Sequence, residues 1–506
     1  MLEGERSYQR GEENLVPSNN APSAPEHPEI PKAQEKPWYI QHFTKLLIGF
    51  GLGGGAIAIL LPWMLWLLCG MSSGSSDQLR LHLLYVTGGI IAVLTLLQTN
   101  WKNQGDRLKI DADIKKNEQD SEKNERDHIR QVHAERRSRY TKAVEQLADE
   151  KATVRLGGIY TLVGLVDEWL ADESFKEESD RQKEGQVIVN SLCSYIRSPF
   201  PLAEKREVLE KDQVPDDYDG SFTADQAQLR EEQDVRRAIF EEMSKRSSTF
   251  AQSEKGEVTI TSGAWSGFKF NFSRAPIFYP LNNLIIEQGN FASTRFYGEA
   301  DFQGAKFTRN TYFKYAEFTG DAYFGGVKFT GNAYFEHAEF TGNVYFEHAE
   351  FTGNVYFEHA EFTGNAYFAG AEFTGNTHFW NAEFTGNAYF AGAKFTGNTY
   401  FEHAEFTGNT HFWSAEFPGI TSFNGAYFKK YAPTFADAFG SARFSAQVDP
   451  QDYLFEARPE SPHGFTCGEA ELLNRTFILP LGAVLYDPDS WDEEEQDYTR
   501  LSEPAK

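Results

Sequence analysis

Cysteine is scarce in this sequence. Its 506 residues include three cysteines, Cys69, Cys193 and Cys467, which lie far apart and form no CxxC pair. This spacing excludes a disulfide-stapled scaffold and a cysteine-based metal site. A catalytic cysteine would need a histidine or asparagine partner, and nothing in the sequence nominates one. The soluble part of the chain therefore suits a reducing compartment.

Basic residues are also in deficit. Lys and Arg number 48 against 74 Asp and Glu, which gives a net charge of −26. Such a chain is a poor ligand for nucleic acid or for an anionic membrane surface, because both repel it. We therefore expect no direct nucleic-acid binding, and we expect any protein partner to be basic. The same charge would also keep a long molecule soluble, so on its own it identifies no site.

Catalytic motifs are absent as well. The sequence contains no nucleophile–base–acid set, no phosphate-binding loop and no metal motif. We therefore predict no enzymatic activity, no catalytic residue, no cofactor and no metal ion.

Two apolar runs predict a transmembrane hairpin over residues 44–100. Residues 46–69 and 81–99 carry no charge, and each is about long enough to cross a bilayer core of ~30 Å. A short Ser/Gly-rich link joins them. Residues 1–40 are polar and rich in Pro, Glu, Ser and Asn, which predicts a disordered cytoplasmic tail.

Lysines and arginines predict the orientation of this hairpin. They are concentrated before the first span and after the second, and the link contains only Arg80. The positive-inside rule therefore places both termini in the cytoplasm of a two-span protein of the cell membrane. Within the first span, Gly49/Gly53 and Gly51/Gly55 form GxxxG pairs, which favour close helix packing. These pairs could join the two spans of one chain or two chains of a homodimer, and the sequence leaves both open.

Helical patterns follow the hairpin. Residues 101–138 are charged and nearly free of Gly and Pro, which predicts a helical stalk. Residues 139–250 carry apolar side chains at spacings of three and four, as expected of a small helical domain.

An 11-residue repeat dominates the second half of the chain. From Phe302 to Phe428 the phenylalanines alternate spacings of five and six residues. The full unit is Ala-Tyr-Phe-Glu-His-Ala-Glu-Phe-Thr-Gly-Asn, which splits into two pentads and one extra Asn. Repeats of this length indicate a solenoid.

Side-chain alternation predicts the core of this solenoid. In extended chain, a phenylalanine and the small residue two positions before it point the same way, while the residue between them points out. We also expect the Gly-Asn step to supply the positive φ of a tight corner. The predicted core includes Ala333, Ala338, Phe335, Phe340, Phe346, Phe351, Phe357, Phe362, Phe368 and Phe373.

The repeat resembles the pentapeptide-repeat family, in which a central Leu or Phe follows a small residue two positions earlier, as at Ala338 and Phe340. The resemblance covers residues 262–444 and implies a right-handed quadrilateral β-solenoid. Because the unit has 11 residues rather than five, two units should form one coil. Residues 445–506 are then expected to form a C-terminal cap and an acidic tail. The segments at 139–147, 154–160 and 192–197 are similar to the helical region of membrane-anchored pentapeptide-repeat proteins of actinobacteria, whose activity is not established.

Stacking of equivalent residues from successive coils predicts outward ladders. The expected partner surface combines a tyrosine ladder, an acidic ladder and two tryptophans that replace a glutamate of the unit. The repeated Glu-His pairs could hold cations, but copies of one unit repeat its residues in any case. The surface residues are Tyr334, Tyr356, Tyr400, Glu339, Glu361, Glu383, Glu405, Trp380 and Trp413.

These features favour a multidomain, membrane-anchored scaffold that binds another protein. The resemblance also implies an alternative, because some pentapeptide-repeat proteins mimic a DNA duplex in shape and charge and bind DNA gyrase. A metal-binding or enzymatic role is the least favoured.

Overall fold

A computed structural model describes residues 35–211, 213–252 and 258–506. Most of the predicted disordered tail, up to residue 34, lies outside the described residues. The chain divides after Asp127 into two compact units.

The first unit is helical. It contains α1 (Trp38–Gln41), α2 (Phe43–Cys69) and the start of α3 (Ser73–Leu147). Both α2 and α3 are long and apolar enough to cross a membrane. Gly70 ends α2 with a left-handed φ of 65°, a conformation that costs glycine little.

The two apolar helices contact each other at a small residue. Gly54 is buried against Thr87, and a Cβ on Gly54 would overlap the threonine side chain. Gly49 and Gly51, which belong to the predicted GxxxG pairs, have open space at the Cβ position. The closest helix contact within this chain therefore lies at Gly54, which belongs to neither pair, and Ala58 and Pro62 are also buried.

Helix α3 has 75 residues and extends the second apolar segment through the residues predicted as a stalk. No Gly or Pro occurs between residues 106 and 147, so nothing local interrupts the helix. The helix also begins earlier than the sequence suggests, because residues 73–80 of the Ser/Gly-rich link are helical.

The second unit begins with a helical domain. It contains α4 (Ala152–Leu170), α5 (Glu178–Arg197), a 3-10 turn (Pro201–Lys205), α6 (Arg206–Leu209) and α7 (Phe222–Arg246). Helix α5 begins with charged turns that are exposed or half-buried, whereas α7 already buries Phe222 and Leu229 in its first two turns. A short antiparallel pair, Thr249–Gln252 and Val258–Thr261, then leads to the repeat.

Four parallel sheets form a β-solenoid of about seven turns. Each coil gives one two-residue strand to each sheet, and equivalent residues such as Ala333 and Val355 pair 22 positions apart. Two 11-residue units therefore make one coil, as predicted. Sheet 1 contains Phe270–Asn271, Gly289–Asn290, Thr311–Tyr312, Ala333–Tyr334, Val355–Tyr356, Thr377–His378, Thr399–Tyr400, Thr421–Ser422 and Tyr453–Leu454. Sheet 2 contains Pro276–Ile277, Arg295–Phe296, Glu317–Phe318, Glu339–Phe340, Glu361–Phe362, Glu383–Phe384, Glu405–Phe406 and Tyr427–Phe428.

The other two sheets follow in chain order within each coil. Sheet 3 contains Ala300–Asp301, Ala322–Tyr323, Val344–Tyr345, Ala366–Tyr367, Ala388–Tyr389 and Thr410–His411. Sheet 4 contains Ile285–Ile286, Lys306–Phe307, Lys328–Phe329, Glu350–Phe351, Glu372–Phe373, Lys394–Phe395, Glu416–Phe417, Arg443–Ser445 and Val484–Tyr486.

Phenylalanine fills the solenoid from end to end. Equivalent rings stack from coil to coil, as between Phe335 and Phe357, whose centroids lie 4.9 Å apart. The alanines two positions before them face the same interior. All ten residues predicted as core, from Ala333 to Phe373, are at most 1% exposed.

The corners of the coil differ from the expectation. Positive φ occurs two residues after the phenylalanine of the Tyr-Phe pentad, at His337, His348 and His359 among others, and not at the Gly-Asn step. The glycines of that step are needed for another reason, because successive coils approach closely there. A Cβ on Gly364 would lie 2.5 Å from the carbonyl carbon of Gly342.

The extra asparagine of each unit joins successive coils. The side-chain Oδ1 of Asn343 accepts a hydrogen bond from the backbone N–H of Asn365 at 3.0 Å, and Asn365 accepts from Asn387 at 2.9 Å. Asp321 starts this series by accepting from Asn343 at 2.8 Å. The series satisfies backbone donors at a corner, where no strand partner is present.

Both ends of the solenoid are covered. At the start, Phe240 of α7 contacts Phe272 with ring centroids 4.6 Å apart, and Phe200 stacks on Phe278 at 4.9 Å. At the other end, Tyr453–Leu454 extends sheet 1, and Arg443–Ser445 and Val484–Tyr486 extend sheet 4. Three antiparallel pairs lie alongside: Ala436–Asp437 with Gly440–Ser441, Cys467–Leu472 with Arg475–Pro480, and Trp491–Asp492 with Asp497–Tyr498.

The acidic tail predicted at the end of the chain is held against this cap. Arg443 donates hydrogen bonds to both carboxylate oxygens of Asp497, at 2.5 and 3.2 Å. The backbone N–H of Glu469 donates to the carbonyl of Lys506 at 3.1 Å. These partners come from distant parts of the chain, so the acidic composition of the tail did not indicate them.

Candidate interaction surface

The outward side chains of sheet 2 form a column of glutamates. Arg295 contacts Glu317 at 3.3 Å near one end, and Arg458 contacts Glu405 at 2.9 Å near the other. Between them, Glu339, Glu361 and Glu383 are exposed and, within the described residues, form no salt bridge. We call these three residues the glutamate column.

Sheet 4 carries comparable acidic side chains, but each has a cation beside it. Lys328 contacts Glu350 at 2.8 Å, Lys394 contacts Glu372 at 3.3 Å, and Arg443 contacts Glu416 at 3.7 Å. Every one of these contacts joins neighbouring coils of the same sheet. Of these two acidic sheets, sheet 2 is therefore the one whose carboxylates are not neutralised by neighbouring cations.

The glutamate column is electrostatically strained. Partial burial, followed by the carboxylates of Glu361 and Glu405, raises the pKa of Glu383. Stacked strands lie ~4.8 Å apart, so the carboxylates of successive coils repel one another. A cation placed over this column would relieve that repulsion.

Of the repeated Glu-His pairs, Glu347-His348 lies between sheets 3 and 4, and the other three lie on the corner between sheets 1 and 2. Its glutamates have partners: Glu336 contacts Lys314 at 2.7 Å, and Glu402 accepts from Ser422 at 2.8 Å. The rings of His337 and His359 stack at 4.8 Å. Among the residues that the structure describes, no group of three or more His, Cys, Asp or Glu side chains is arranged to hold a metal ion.

The tyrosine ladder of sheet 1 is a rigid surface beside this corner. Tyr334 stacks on Tyr356 at 5.0 Å, and Tyr356 stacks on His378 at 5.0 Å. His378 stacks in turn on Tyr400 at 5.0 Å. Asn332 donates to the hydroxyl of Tyr334 at 3.1 Å, which fixes the ring edge.

Sequence comparison assigns the repeat. A family model described as "Pentapeptide repeats (9 copies)" matches residues 291–339, 335–383 and 379–426. The solenoid belongs to the pentapeptide-repeat family. Comparison with curated proteins and with solved structures found no match. The match covers the regular coils, which include every residue of the glutamate column.

The two tryptophans predicted as part of the partner surface lie on different corners of the pentapeptide-repeat solenoid. Trp380 follows the sheet 1 strand Thr377–His378, whereas Trp413 follows the sheet 3 strand Thr410–His411. Trp380 is 43% exposed and lies beside His359. Trp413 contacts Phe439 of the C-terminal cap, with ring centroids 5.5 Å apart. The structure therefore does not bring them together.

Two arginines bracket the column, and neither is among the predicted surface residues. Arg295 precedes Glu317 by one coil in sheet 2, so extending the ladder backwards would have found it. Arg458 lies beyond the repeat and reaches Glu405 only because the C-terminal cap folds back. No spacing in the sequence indicates that contact.

The three cysteines remain unpaired in the structure. Cys193 is buried in the helical domain, and burial raises the pKa of its thiol to about 12. A thiol that stays protonated at neutral pH is a poor nucleophile.

Proposed function

We propose that this chain is a membrane-anchored scaffold that binds a basic segment of another protein along sheet 2. The observation that supports this proposal is the contrast between the two acidic sheets. The carboxylates of sheet 4 are neutralised by Lys328, Lys394 and Arg443, whereas the glutamate column has no such partners among the described residues.

The rigidity of the solenoid strengthens this proposal. The outward side chains of sheet 2 sit on strands that pair with a coil on each side, so their spacing is preset. A basic partner would gain attraction without ordering the surface that it binds. Such binding should weaken steeply as salt concentration rises, because the charges are exposed.

The anchor would be the pair α2 and α3. The apolar segments of both helices are largely exposed, as expected of lipid-facing helices. The distribution of Lys and Arg supports a topology in which both termini are cytoplasmic. A cytoplasmic solenoid would then meet basic partners in a reducing compartment.

A matched pair of triple variants tests the glutamate column. We would titrate a lysine-rich peptide into the full chain in detergent micelles, using E339Q/E361Q/E383Q and the control E350Q/E372Q/E416Q. Both variants remove three negative charges, but only the first removes them from sheet 2. We expect at least a tenfold loss of affinity in the first variant and a loss of less than twofold in the control.

Equal losses in the two variants would contradict the proposal, because binding would then follow net charge alone. Cross-linking and affinity purification from native membranes with the same variants would identify the natural partner. A gyrase supercoiling assay would test the alternative that the solenoid mimics a DNA duplex. Inhibition of gyrase by the full chain at micromolar concentration would support that alternative.

A further inference from the structure

A cavity of about 360 Å³ lies where the helical domain meets the first coils of the solenoid. Its charged lining consists of three arginines, Arg197, Arg274 and Arg295, and one glutamate, Glu204. In a chain with a net charge of −26, this is a cationic cavity on an acidic molecule. Its volume falls within the range of about 300–1,000 Å³ that is usual for small-molecule sites.

Arg274 is the arginine best placed to receive a ligand. Its side chain is exposed and, among the described residues, has no hydrogen-bond or ion-pair partner. Its backbone has a φ of 61°, a left-handed conformation that is unfavourable for a residue other than glycine. Other coils place His, Asn, Ser, Tyr or Gly at this corner position, so the left-handed backbone does not require arginine there, and no ion pair among the described residues accounts for it.

The other two arginines are held in place but keep donors to spare. Arg197 donates from Nη1 to the carbonyl of Asn271 at 3.3 Å. Arg295 contacts Glu317 at 3.3 Å and lies over the Tyr297 ring, 5.2 Å from its centroid. Each guanidinium has five N–H donors, so both can also serve an oxyanion in the cavity.

The walls of the cavity are stiff and partly apolar. Pro199, Pro201 and Pro276 line it together with Phe200 and Tyr297. Arg206 fixes the Tyr297 segment from behind, with Nη1 donating to the carbonyls of Tyr297 and Glu299 at 2.7 Å each. A preformed wall lowers the entropic cost of binding.

We propose that this cavity binds a phosphate group, either as the free anion or as a phosphate monoester with a small organic body. Guanidinium groups match the geometry and charge of phosphate oxygens. Three arginines and one glutamate line the cavity, and Glu317 pairs with Arg295 beside it, which leaves an excess of one positive charge for an anion. The aromatic and proline walls would contact the organic body of a monoester.

Calorimetry on the full chain tests this proposal. The protein would be kept in a phosphate-free maltoside detergent at constant ionic strength, and titrated with inorganic phosphate and with phenyl phosphate. We expect saturable one-to-one binding of at least one probe, and at least tenfold weaker binding in R274Q. The control K394Q removes a positive charge from sheet 4 and should bind as the wild type does.

A second variant separates binding from folding. R274G removes the same charge but relieves the left-handed strain, so its Tm should equal or exceed that of the wild type while its phosphate affinity falls at least tenfold. Tighter binding of phenyl phosphate would identify a monoester as the ligand, and equal binding would identify the free anion. Absence of saturable binding to the wild type, or equal affinities in R274Q and K394Q, would overturn the proposal.

Discussion

At the scale of single residues, the repeat unit does not follow the usual backbone preference, in which glycine takes the positions with positive φ. Glycine stands at the corners where coils nearly touch, and histidine stands at several corners with positive φ. His337 and His359 stack at 4.8 Å, which offsets part of the cost of that backbone. Contact between coils, rather than backbone preference, therefore explains where this repeat needs glycine.

Two glycine variants test this explanation. In G364A, the new Cβ would meet the backbone of Gly342 at 2.5 Å, whereas in G392A it would meet nothing within 4 Å and only the φ of 63° opposes it. We expect G392A to lower the free energy of unfolding by about 1 kcal/mol, and G364A by several times as much. Chemical denaturation of the full chain would measure both, and a larger effect in G392A would contradict the explanation.

The asparagine series can be tested in the same way. In N365A, the backbone N–H of Asn387 loses its acceptor, so we expect the free energy of unfolding to fall by about 1–2 kcal/mol. N365D keeps an acceptor oxygen, as Asp321 does naturally, and should lose much less. Thermal unfolding of both variants would measure these differences in stability. Equal destabilisation of N365A and N365D would show that the Oδ1 acceptor does not stabilise the coil.

At the scale of elements, ion pairs fasten the end of α3 to the end of α4. Asp172 accepts from Arg136 and contacts His133 at 3.0 Å, while Arg139 forms two hydrogen bonds with Glu168. These side chains lie within the second unit and are partly buried. These ion pairs therefore link residues 133–139 of α3 to Glu168 and Asp172 at the end of α4.

This fastening should be sensitive to acid. Burial raises the pKa of Asp172, but hydrogen bonds from Ser174, Arg136 and His133 outweigh it and hold that pKa well below the ordinary 3.8. A carboxyl whose pKa is lowered in the folded state stabilises it fully above the ordinary pKa. That contribution disappears as the pH falls from 3.8 toward the folded value.

The variant D172N should therefore have a free energy of unfolding about 2 kcal/mol lower than the wild type at neutral pH, because it leaves Arg136 without its anionic partner. The difference from the wild type should shrink below pH 3.8. D180N is the control, since Asp180 pairs with the exposed Lys183. Hydrogen exchange over residues 128–147 would report the loosening, and a pH-independent difference would contradict it.

At the scale of the whole molecule, charge and hydrophobicity are segregated along the chain. The apolar segments lie before residue 100, ion pairs join helices of the helical domain and coils of sheet 4, and the glutamate column lies on sheet 2. This division would suit the proposed membrane-anchored scaffold, because the anchor and the acidic surface do not compete for the same residues.

The proposed topology has a direct test. A reporter that is active only in the cytoplasm, fused after Lys506, should be active if the positive-inside rule holds here. The same reporter inserted after Met71, in the link between α2 and α3, should be inactive. The opposite pair of results would show that the hairpin is inverted.

The sequence by itself determined the solenoid, its coil length and its phenylalanine core. Each unit repeats the same local pattern, so spacing alone reports which side chains face inward. It also identified both apolar helices, since about 20 apolar residues in a row carry their own signal.

Only the tertiary structure decided which glutamates stay unpaired, where the coil bends with positive φ, and how the acidic C-terminal segment is ordered. The partners of Glu405 and Asp497 are Arg458 and Arg443, which lie 53 and 54 residues away in the chain. The arginine cavity likewise combines residues from α5 and from two coils. Contacts over such separations depend on how the chain folds back, and no periodicity in the sequence records that.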